Sequence, residues 1–290
     1  MVTPSHKRDA VQHLQEVVLA GREQPLSQRR ACRVVALHRA TARHKPRQHL
    51  KDGPVQDQML HLSQHHPRFG YRRIHALLCR AGAGALNIKR VHRLWKATKR
   101  QVPPRKKRRS RAAKEVNRAP QQALYPGHVW SYDFVHDKCH SGAKLKLLCV
   151  NDEFTRQCHA IEVGASLTAR DVQRVLERLF TLHGAPAFLR SDNGPEFVQH
   201  ELKRWLSEQN VQTLYIDKGA PWQNGKSESM HGKLRDECLE RELFHSRLEA
   251  RVVIENYRQH FNTHRPHSSL GYQTPNEVAK RWIKNQTPLT

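Results

Sequence analysis

The sequence predicts an α/β fold in which a mixed five-stranded β-sheet is covered by helices on both faces. Three β-rich runs follow one another from His128, namely VWSYDFVH, KLKLLCV and RQCHAIEV. After them, helical segments alternate with two further strands, AFLRS and VQTLYI. This order of elements predicts a mixed sheet with helices packed on each side. The chain of 290 residues is long enough to bury such a core behind small helical modules.

The chain is strongly basic, with 51 Lys and Arg residues against 26 Asp and Glu residues and a formal charge of +25. Such an excess attracts polyanions, and it predicts nucleic-acid binding that weakens steeply with added salt. A membrane surface is the other candidate polyanion. However, the sequence has no run of 18 apolar residues and no apolar segment after Met1. We therefore expect a soluble, unexported protein with no membrane partner.

The positions of cysteine and histidine predict neither a disulfide framework nor a zinc module. The six cysteines include no Cys-x-x-Cys pair, so reduced and partly buried thiols are expected. His61, His65 and His66 are close in sequence, but no Cys-x-x-Cys partner follows them as a zinc module requires.

Residues 1–50 are predicted to form a basic helical module with two short helices. Apolar Ala31, Val34, Val35 and Leu37 form a stripe among arginines. This pattern is compatible with a helix-turn-helix that binds DNA and equally with a basic amphipathic helix that packs on its neighbour.

Residues 51–101 are predicted to form a helix-turn-helix-like module. Two apolar stripes flank a turn at Gly82–Gly84, and they consist of Ile74, Leu77 and Leu78, and of Val91, Leu94 and Trp95. We expect four cations of this module to contact DNA phosphates: Arg72, Arg73, Lys89 and Arg90.

Residues 102–124 are predicted to be a basic linker. A Pro-Pro break precedes the run RKKRRSR, and a block of like charges tends to stay extended. Lys106 and Arg108 are expected to lie along a DNA backbone, with a solvated surface as the alternative.

Three acidic residues in the predicted core, residues 125–240, are candidates for catalysis. Strand alternation puts Trp130, Tyr132 and Phe134 on one face of the first strand and Asp133 on the other. Asp192 follows the strand AFLRS, at the edge where open α/β sheets keep their sites. Glu228 lies in the first turns of a helix that follows a loop. Carboxylates gathered at one edge repel one another unless cations lie between them, and Mg²⁺ prefers oxygen ligands.

These motifs together resemble those of a known enzyme family. Asp192 and Glu228 are separated by 35 residues, 193–227. The sequence also contains four accompanying motifs: SDNGPEF, GAPWQNG, RDECLE and HRPHSSLGYQTP. The pattern is similar to the D,D-35-E signature of retroviral-type integrases and bacterial insertion-sequence transposases. It most resembles the IS-three family, in its catalytic subunit from the second reading frame. The resemblance covers about His66 to Ala279.

The resemblance implies a ribonuclease-H-like integrase core and a transposase that cleaves DNA and joins a 3′-hydroxyl to target DNA. Asp133, Asp192 and Glu228 would be the catalytic residues and would hold two Mg²⁺ ions, which Mn²⁺ can replace. The expected partners are the element's ends, target DNA, further copies of the chain on DNA and an upstream-frame protein, all in the bacterial cytoplasm at the nucleoid. Near the acids, the expected DNA contacts are Gln223, Asn224, Lys233 and Arg235. Residues 241–290 would form a helical extension of the core.

Two departures from the family pattern and two rival functions accompany this prediction. Lys226 replaces an aromatic or apolar residue, and Met230-His231 replaces a Phe-Asn pair. The rivals are a ribonuclease-H-like nuclease that cuts without joining and a DNA-binding regulator without catalysis. The spacing of the three acids favours the transposase over both.

Overall fold

A computed structural model describes residues 3–18, 23–44, 48–82, 84–100, 102, 121–192, 194, 199–217 and 221–286 of the chain. The chain divides into two compact units, Met1–Gln58 and Met59–Thr290. Helix α4 (Gln48–His65) runs continuously through the predicted module boundary at residues 50 and 51. Among the described helices, none combines the length and the apolar character needed to cross a bilayer.

The first unit contains three helices before α4 within its described residues: α1 (Pro4–Glu16), α2 (Gln28–Val34) and α3 (Arg39–Arg43). Val11, Leu26, Ala31 and Cys32 form a buried hydrophobic cluster in this unit. The predicted stripe is correct for Ala31 and for the partly buried Val35 and Leu37. It is wrong for Val34, which is 68% exposed, because Cys32 fills the core position in this short helix.

In the second unit, the last residues of α4 are followed by a helical pair, α5 (Tyr71–Arg80) and α6 (Ile88–Ala97). Ile74 and Leu78 of α5 are buried, as are Val91, Leu94 and Trp95 of α6. The predicted stripes therefore form the contact between the two helices, except that Leu77 is only partly buried. Asn87 caps α6 because its side chain accepts a hydrogen bond from the Lys89 amide at 2.8 Å.

A mixed five-stranded sheet forms the centre of the second unit, as predicted. The strands are β1 (Val129–Lys138), β2 (Lys144–Asp152), β3 (Cys158–Gly164), β4 (Phe188–Ser191) and β5 (Gln212–Tyr215), in the order β3-β2-β1-β4-β5. β1 pairs with β2 antiparallel and with β4 parallel. β3 begins at Cys158, two residues later than predicted, because Arg156 takes a left-handed backbone conformation with a φ of 64°.

Helices cover both faces of the sheet. On one face, Trp130 and Tyr132 pack with α7 (Ala169–His183) and α8 (His200–Glu208). On the other face, Val135 packs with α9 (Gly225–Leu234) and α10 (Arg247–Thr263). The alternation predicted for β1 is confirmed. Trp130, Tyr132 and the partly buried Phe134 belong to the core on one face, and Val135 belongs to the core on the other. A capping box joins Thr168 and Asp171 at the start of α7, and Gly184 ends this helix.

The C-terminal region packs against the core through buried charged residues. A π-helical turn (Arg235–Leu239) follows α9, and α11 (Pro275–Gln286) ends the described chain. Arg265 is 1% exposed and donates hydrogen bonds to both carboxylate oxygens of Glu237. The HRPHSSLGYQTP segment therefore has a structural role, and Gly271 turns it with a φ of 61°. All six cysteines are free, in agreement with the prediction of reduced thiols.

Candidate active site

The parallel pairing of β1 with β4 brings Asp133 next to Asp192. Ser131 of β1 pairs with Arg190 of β4, and β4 ends one residue later, at Ser191. When this register is continued by two residues, Asp133 stands opposite Asp192. The two carboxylates therefore lie side by side, with Asp133 in the middle of β1 and Asp192 directly after the C-terminal end of β4, where α/β sheets keep their sites.

Glu228 reaches the same edge from α9. Met230 and Leu234 of this helix are buried in the same core cluster as Val135, which lies on the Asp133 face of β1. Glu228 is exposed, one turn after the start of the helix. The negative charges of Asp192 and Glu228 both raise the pKa of Asp133, so the three predicted acids are close enough to interact electrostatically.

Asp133 is the most buried of the three acids. Burial, followed by the neighbouring acids, raises its pKa to about 6. Two hydrogen bonds oppose this shift by stabilising the ionised form: one from the Phe134 amide at 2.7 Å and one from Asn224 Nδ2 at 2.9 Å. Despite these bonds, Asp133 is costly to ionise without a nearby cation.

The acids offer the oxygen donors that Mg²⁺ binds. Among the described residues, no three acidic, histidine or cysteine side chains are close enough together to enclose a metal ion in their present rotamers. Asp192 and Glu228 are exposed, so their carboxylates can rotate towards Asp133 without unpacking the core. The raised pKa of Asp133 and the carboxylate donors fit a divalent cation between the acids.

The side chains of Gln223 and Asn224 are buried, contrary to the prediction that they contact DNA. Their exposed fractions are 7% and 5%. Gln223 exchanges two hydrogen bonds with Asp217, which ties the loop to the end of β5. Asn224 donates to Asp133, and its Oδ1 has no partner among the described residues. Because the side chains of Gln223 and Asn224 point into the fold and form these hydrogen bonds, they fix the position of the active-site loop.

The two departures from the family pattern have defined structural consequences. Lys226 Nζ lies 2.9 Å from Glu153 Oε2, so it fixes the start of α9 to the turn after β2. Met230 is buried in the core beneath α9. His231 Nδ1 lies 3.8 Å from Asp133 Oδ2. Burial lowers the pKa of His231 to about 4, so at neutral pH it is an uncharged neighbour of the acids. The sequence shows that these positions depart from the family pattern, but it carries no signal of the contacts that they make.

The other predicted DNA contacts fall into three groups. Arg72, Lys89 and Arg235 are exposed, and Arg90 is partly exposed. Arg73 and Lys233 are half-buried and face internal partners: Arg73 lies 3.6 Å from Glu237, and Lys233 lies 3.3 Å from His267. These two side chains differ from the prediction because each faces an internal partner, a carboxylate for Arg73 and a neutral imidazole for Lys233. Lys106 and Arg108 lie outside the described residues.

Comparison with known protein families defines the class of this chain. Residues 123–221 match the integrase core domain family, and residues 209–275 match a second family with the same description. Residues 58–108 match an HTH-like domain family. With the mixed sheet and the three acids, these matches define a DDE-type polynucleotidyl transferase that acts on DNA. Enzymes of the integrase core class depend on divalent metal ions.

Similar proteins extend over nearly the whole chain. The chain is 35% identical over 285 residues to the 39.2 kDa protein of insertion element IS476 from Xanthomonas euvesicatoria, covering 98% of this chain and 80% of that protein. It is 38% identical over 256 residues to the 31.7 kDa protein of IS407 from Burkholderia multivorans, covering 88% and 91%. The transposase InsD of IS2 from Escherichia coli is 27% identical over 252 residues, with 80% coverage of each. The chain belongs to the IS-three family of insertion-sequence transposases and is a catalytic subunit of that family.

Solved structures give a more distant similarity. The HTLV-2 integrase catalytic core, in complex with magnesium, aligns at 18% identity and a TM-score of 0.43, over 55% of this chain and 99% of that one. A simian T-cell lymphotropic virus intasome aligns at 13% identity and a TM-score of 0.49, over 76% and 74%. The assignment above depends on the family matches and on the observed sheet order.

Proposed function

We propose that Asp133, Asp192 and Glu228 are the catalytic residues of this transposase and that they hold two Mg²⁺ ions, which Mn²⁺ can replace. The observation that carries the proposal is the raised pKa of Asp133, caused by burial and by its two acidic neighbours. When bound, the ions would activate the attacking oxygen and neutralise the leaving one. The three acids would hold the ions in fixed positions, because a rigid sheet and a rigid helix carry them.

The proposed reaction has two phosphoryl transfers. Water attacks the phosphodiester at the element's end, and the broken P–O bond leaves a free 3′-hydroxyl and a 5′-phosphate. The 3′-hydroxyl then attacks a target phosphodiester, and the target strand's 3′ oxygen leaves. No covalent protein intermediate is needed, since the chain supplies position and electrostatic stabilisation.

Exposed cations near the acids and on the helical pair are the proposed DNA contacts. Arg235 lies seven positions after Glu228, on the same side of the helix, and donates to the His136 carbonyl at 3.4 Å. We assign it to the phosphates of the transferred strand. Arg72, Lys89 and Arg90 would bind other phosphates, and Lys106 and Arg108 would continue this contact along the linker. Several copies of the chain on DNA and an upstream-frame protein are the proposed assembly.

A strand-transfer assay tests the catalytic assignment. Purified protein, Mg²⁺ or Mn²⁺ and labelled DNA of the source element's end are mixed with target DNA. Asp133→Asn and Asp192→Asn each remove one charge from the site. We expect joined product to fall by at least about a hundredfold, because the lost charge acts directly on the transition state. DNA binding in the absence of metal should remain.

Asp137→Asn is a matched control for Asp133→Asn. Asp137 is on the same strand, and its carboxylate also accepts a hydrogen bond from the next amide, that of Lys138, at 2.9 Å. It is not part of the proposed site, so joining should stay close to the wild-type level. Equal activity of wild type, Asp133→Asn and Asp192→Asn would refute the assignment. Cleavage without joining by the wild type, even with the upstream-frame protein added, would favour the nuclease.

A further inference from the structure

A polar cavity lies beside α9, outside the catalytic site. Its volume is about 260 Å³, and none of the three catalytic acids lines it. Lys226, Ser229 and Lys233 of α9 face the cavity, whereas Glu228, His231 and Arg235 belong to the active-site side. Each set has helical spacing, and the two sets are offset by two residues. At about 100° per residue, this offset puts them on opposite sides of the helix.

The floor of the cavity has buried polar groups without partners. Ser131 is 1% exposed and Asn151 is 7% exposed, and they are paired in register on β1 and β2. Within the described residues, Ser131 Oγ and both polar atoms of the Asn151 side chain have no hydrogen-bond partner. Unpaired buried polar atoms are costly, and most in folded proteins are satisfied. A hydrogen-bond acceptor in the cavity would satisfy the two donors among them, Ser131 Oγ and Asn151 Nδ2.

The walls of the cavity carry an excess of available positive charge. Arg156, Lys226 and Lys233 line it together with two acids, Asp152 and Glu153. Both acids already have partners. The Asp152 carboxylate accepts from three backbone amides, those of Gly127, Phe154 and Thr155. Glu153 bonds Arg190 Nε at 2.8 Å and Lys226 Nζ at 2.9 Å.

Arg156 and Lys233 are left without a carboxylate partner within the described part of the chain. Lys233 Nζ contacts only a neutral acceptor, His267 Nε2, at 3.3 Å. Burial, followed by repulsion from Arg265 and Arg156, lowers the pKa of Lys233 to about 7. Arg156 is held there by a backbone φ of 64°, and its amide bonds the Asp152 carbonyl at 3.1 Å. Asp152 and Glu153 act on Arg156, and Glu237 acts on Lys233, only through longer-range attraction, so neither half-buried cation has a direct ion pair among the described residues.

We propose that this cavity binds a phosphate-type oxyanion, supplied by a DNA phosphodiester or by free inorganic phosphate. Arg156 and Lys233 would pair with its charge, Ser131 and Asn151 would donate from the floor, and the exposed hydroxyls of Ser268 and Ser269 lie at the rim. Tetrahedral oxyanions accept several hydrogen bonds at once, which suits convergent donors of this kind. The site is independent of the catalytic reaction.

Calorimetric titration with inorganic phosphate tests this site. It is done without divalent metal, at constant ionic strength set with NaCl, on wild type and on Asp192→Asn. We expect equal saturable binding to both, because neither metal nor catalysis is involved. Failure of the catalytic proposal would therefore leave this result unchanged. Lys233→Met and Arg156→Asn should each weaken phosphate binding at least tenfold. Asparagine is chosen at residue 156 because it tolerates a positive φ.

Two further variants separate a specific site from general charge and from misfolding. Arg204→Gln removes one charge from an exposed pair on α8, Arg204 with Glu208, and should leave phosphate binding unchanged. Ser268→Glu puts a negative charge at the exposed rim without disturbing the core, and should also weaken binding at least tenfold. Absence of saturable binding in the wild type, or equal losses in Arg204→Gln and Lys233→Met, would overturn the proposal.

A competition arm identifies the source of the anion. A short DNA duplex without the element's ends is added to phosphate-saturated protein. Displacement of phosphate, with DNA affinity reduced by Ser268→Glu and Lys233→Met more than by Arg204→Gln, assigns the site to a DNA phosphodiester. Duplex binding that leaves phosphate in place assigns it to a free anion. Both results support the phosphate site.

Discussion

At the scale of single residues, Asn224 connects the active-site loop to the first acid. Its amide donates to Asp133 Oδ2 at 2.9 Å, and its side chain is 5% exposed. This bond fixes one carboxylate oxygen of Asp133 in position and leaves the other to accept from the Phe134 amide at 2.7 Å. The loop therefore sets the orientation of the acid that is hardest to ionise.

Asn224→Ala should reduce strand transfer by roughly 10–100-fold, as is usual for the loss of a group that orients a metal ligand. The reason is that Asp133 loses its orientation while all three acids remain. The measurement is the rate of joining as a function of Mg²⁺ concentration. A positioning role predicts a higher Mg²⁺ concentration at half-maximal rate, which a purely structural defect would not give. An unchanged metal dependence would contradict it.

At the scale of elements, α9 separates two environments. One side carries Glu228 and His231 towards Asp133, and the other carries Lys226 and Lys233 towards the cavity. Its buried residues, Met230 and Leu234, anchor it on the sheet between them. The helix therefore keeps the proposed phosphate site apart from the catalytic acids.

The capping box of α7 provides a test of local stability. Thr168 accepts from the Asp171 amide, and the Asp171 carboxylate accepts from the Thr168 amide at 2.9 Å. Thr168→Ala should cost about 1 kcal/mol and lower the melting temperature by roughly 2–4 °C. Thr181→Ala, an exposed change on the same helix, should stay within about 0.5 kcal/mol. Calorimetric melts of the two variants measure the difference, and equal melts would show that the cap contributes nothing.

At the scale of the whole molecule, buried histidines make the fold sensitive to acid. Burial is the first cause that lowers the pKa of His66 to about 4, of His159 to about 3 and of His267 to about 2. Below pH about 6.5, the unfolded chain binds these protons and the folded chain does not. The stability from neutral histidines is therefore complete above this pH and is lost as the pH falls towards the folded pKa values. The raised pKa of Asp133 opposes this trend with one proton.

We expect the free energy of unfolding to fall as the pH drops from about 6.5 to 5. His159→Phe should reduce this slope by about 1.4 kcal/mol per pH unit, the value for one proton. Phenylalanine retains a ring against Trp130, whose centroid lies 4.4 Å from that of His159. Urea unfolding at several pH values provides the measurement. A slope equal to that of the wild type would exclude His159 as a source of the acid sensitivity.

The local features of this protein were determined by its sequence. Residue alternation along β1 put Asp133 and Trp130 on opposite faces, and the Thr168 and Asp171 cap marked the start of α7, because both depend on neighbours in the chain. The five strands followed from the same short-range patterns, as did the positions of Asp133 within β1, of Asp192 after β4 and of Glu228 at the start of α9. The resemblance to the IS-three family followed from the spacing of the acids and the accompanying motifs.

Tertiary structure alone decided which side chains those patterns bring together. The β1–β4 register placed Asp133 beside Asp192, and packing turned Gln223 and Asn224 inward. The sequence predicted that Arg73 and Lys233 contact DNA. In the structure their partners are Glu237 and His267, each of which is distant from them in the sequence. The physical reason is that sequence periodicity encodes which face of an element is buried. The partner on that face is set by long-range packing.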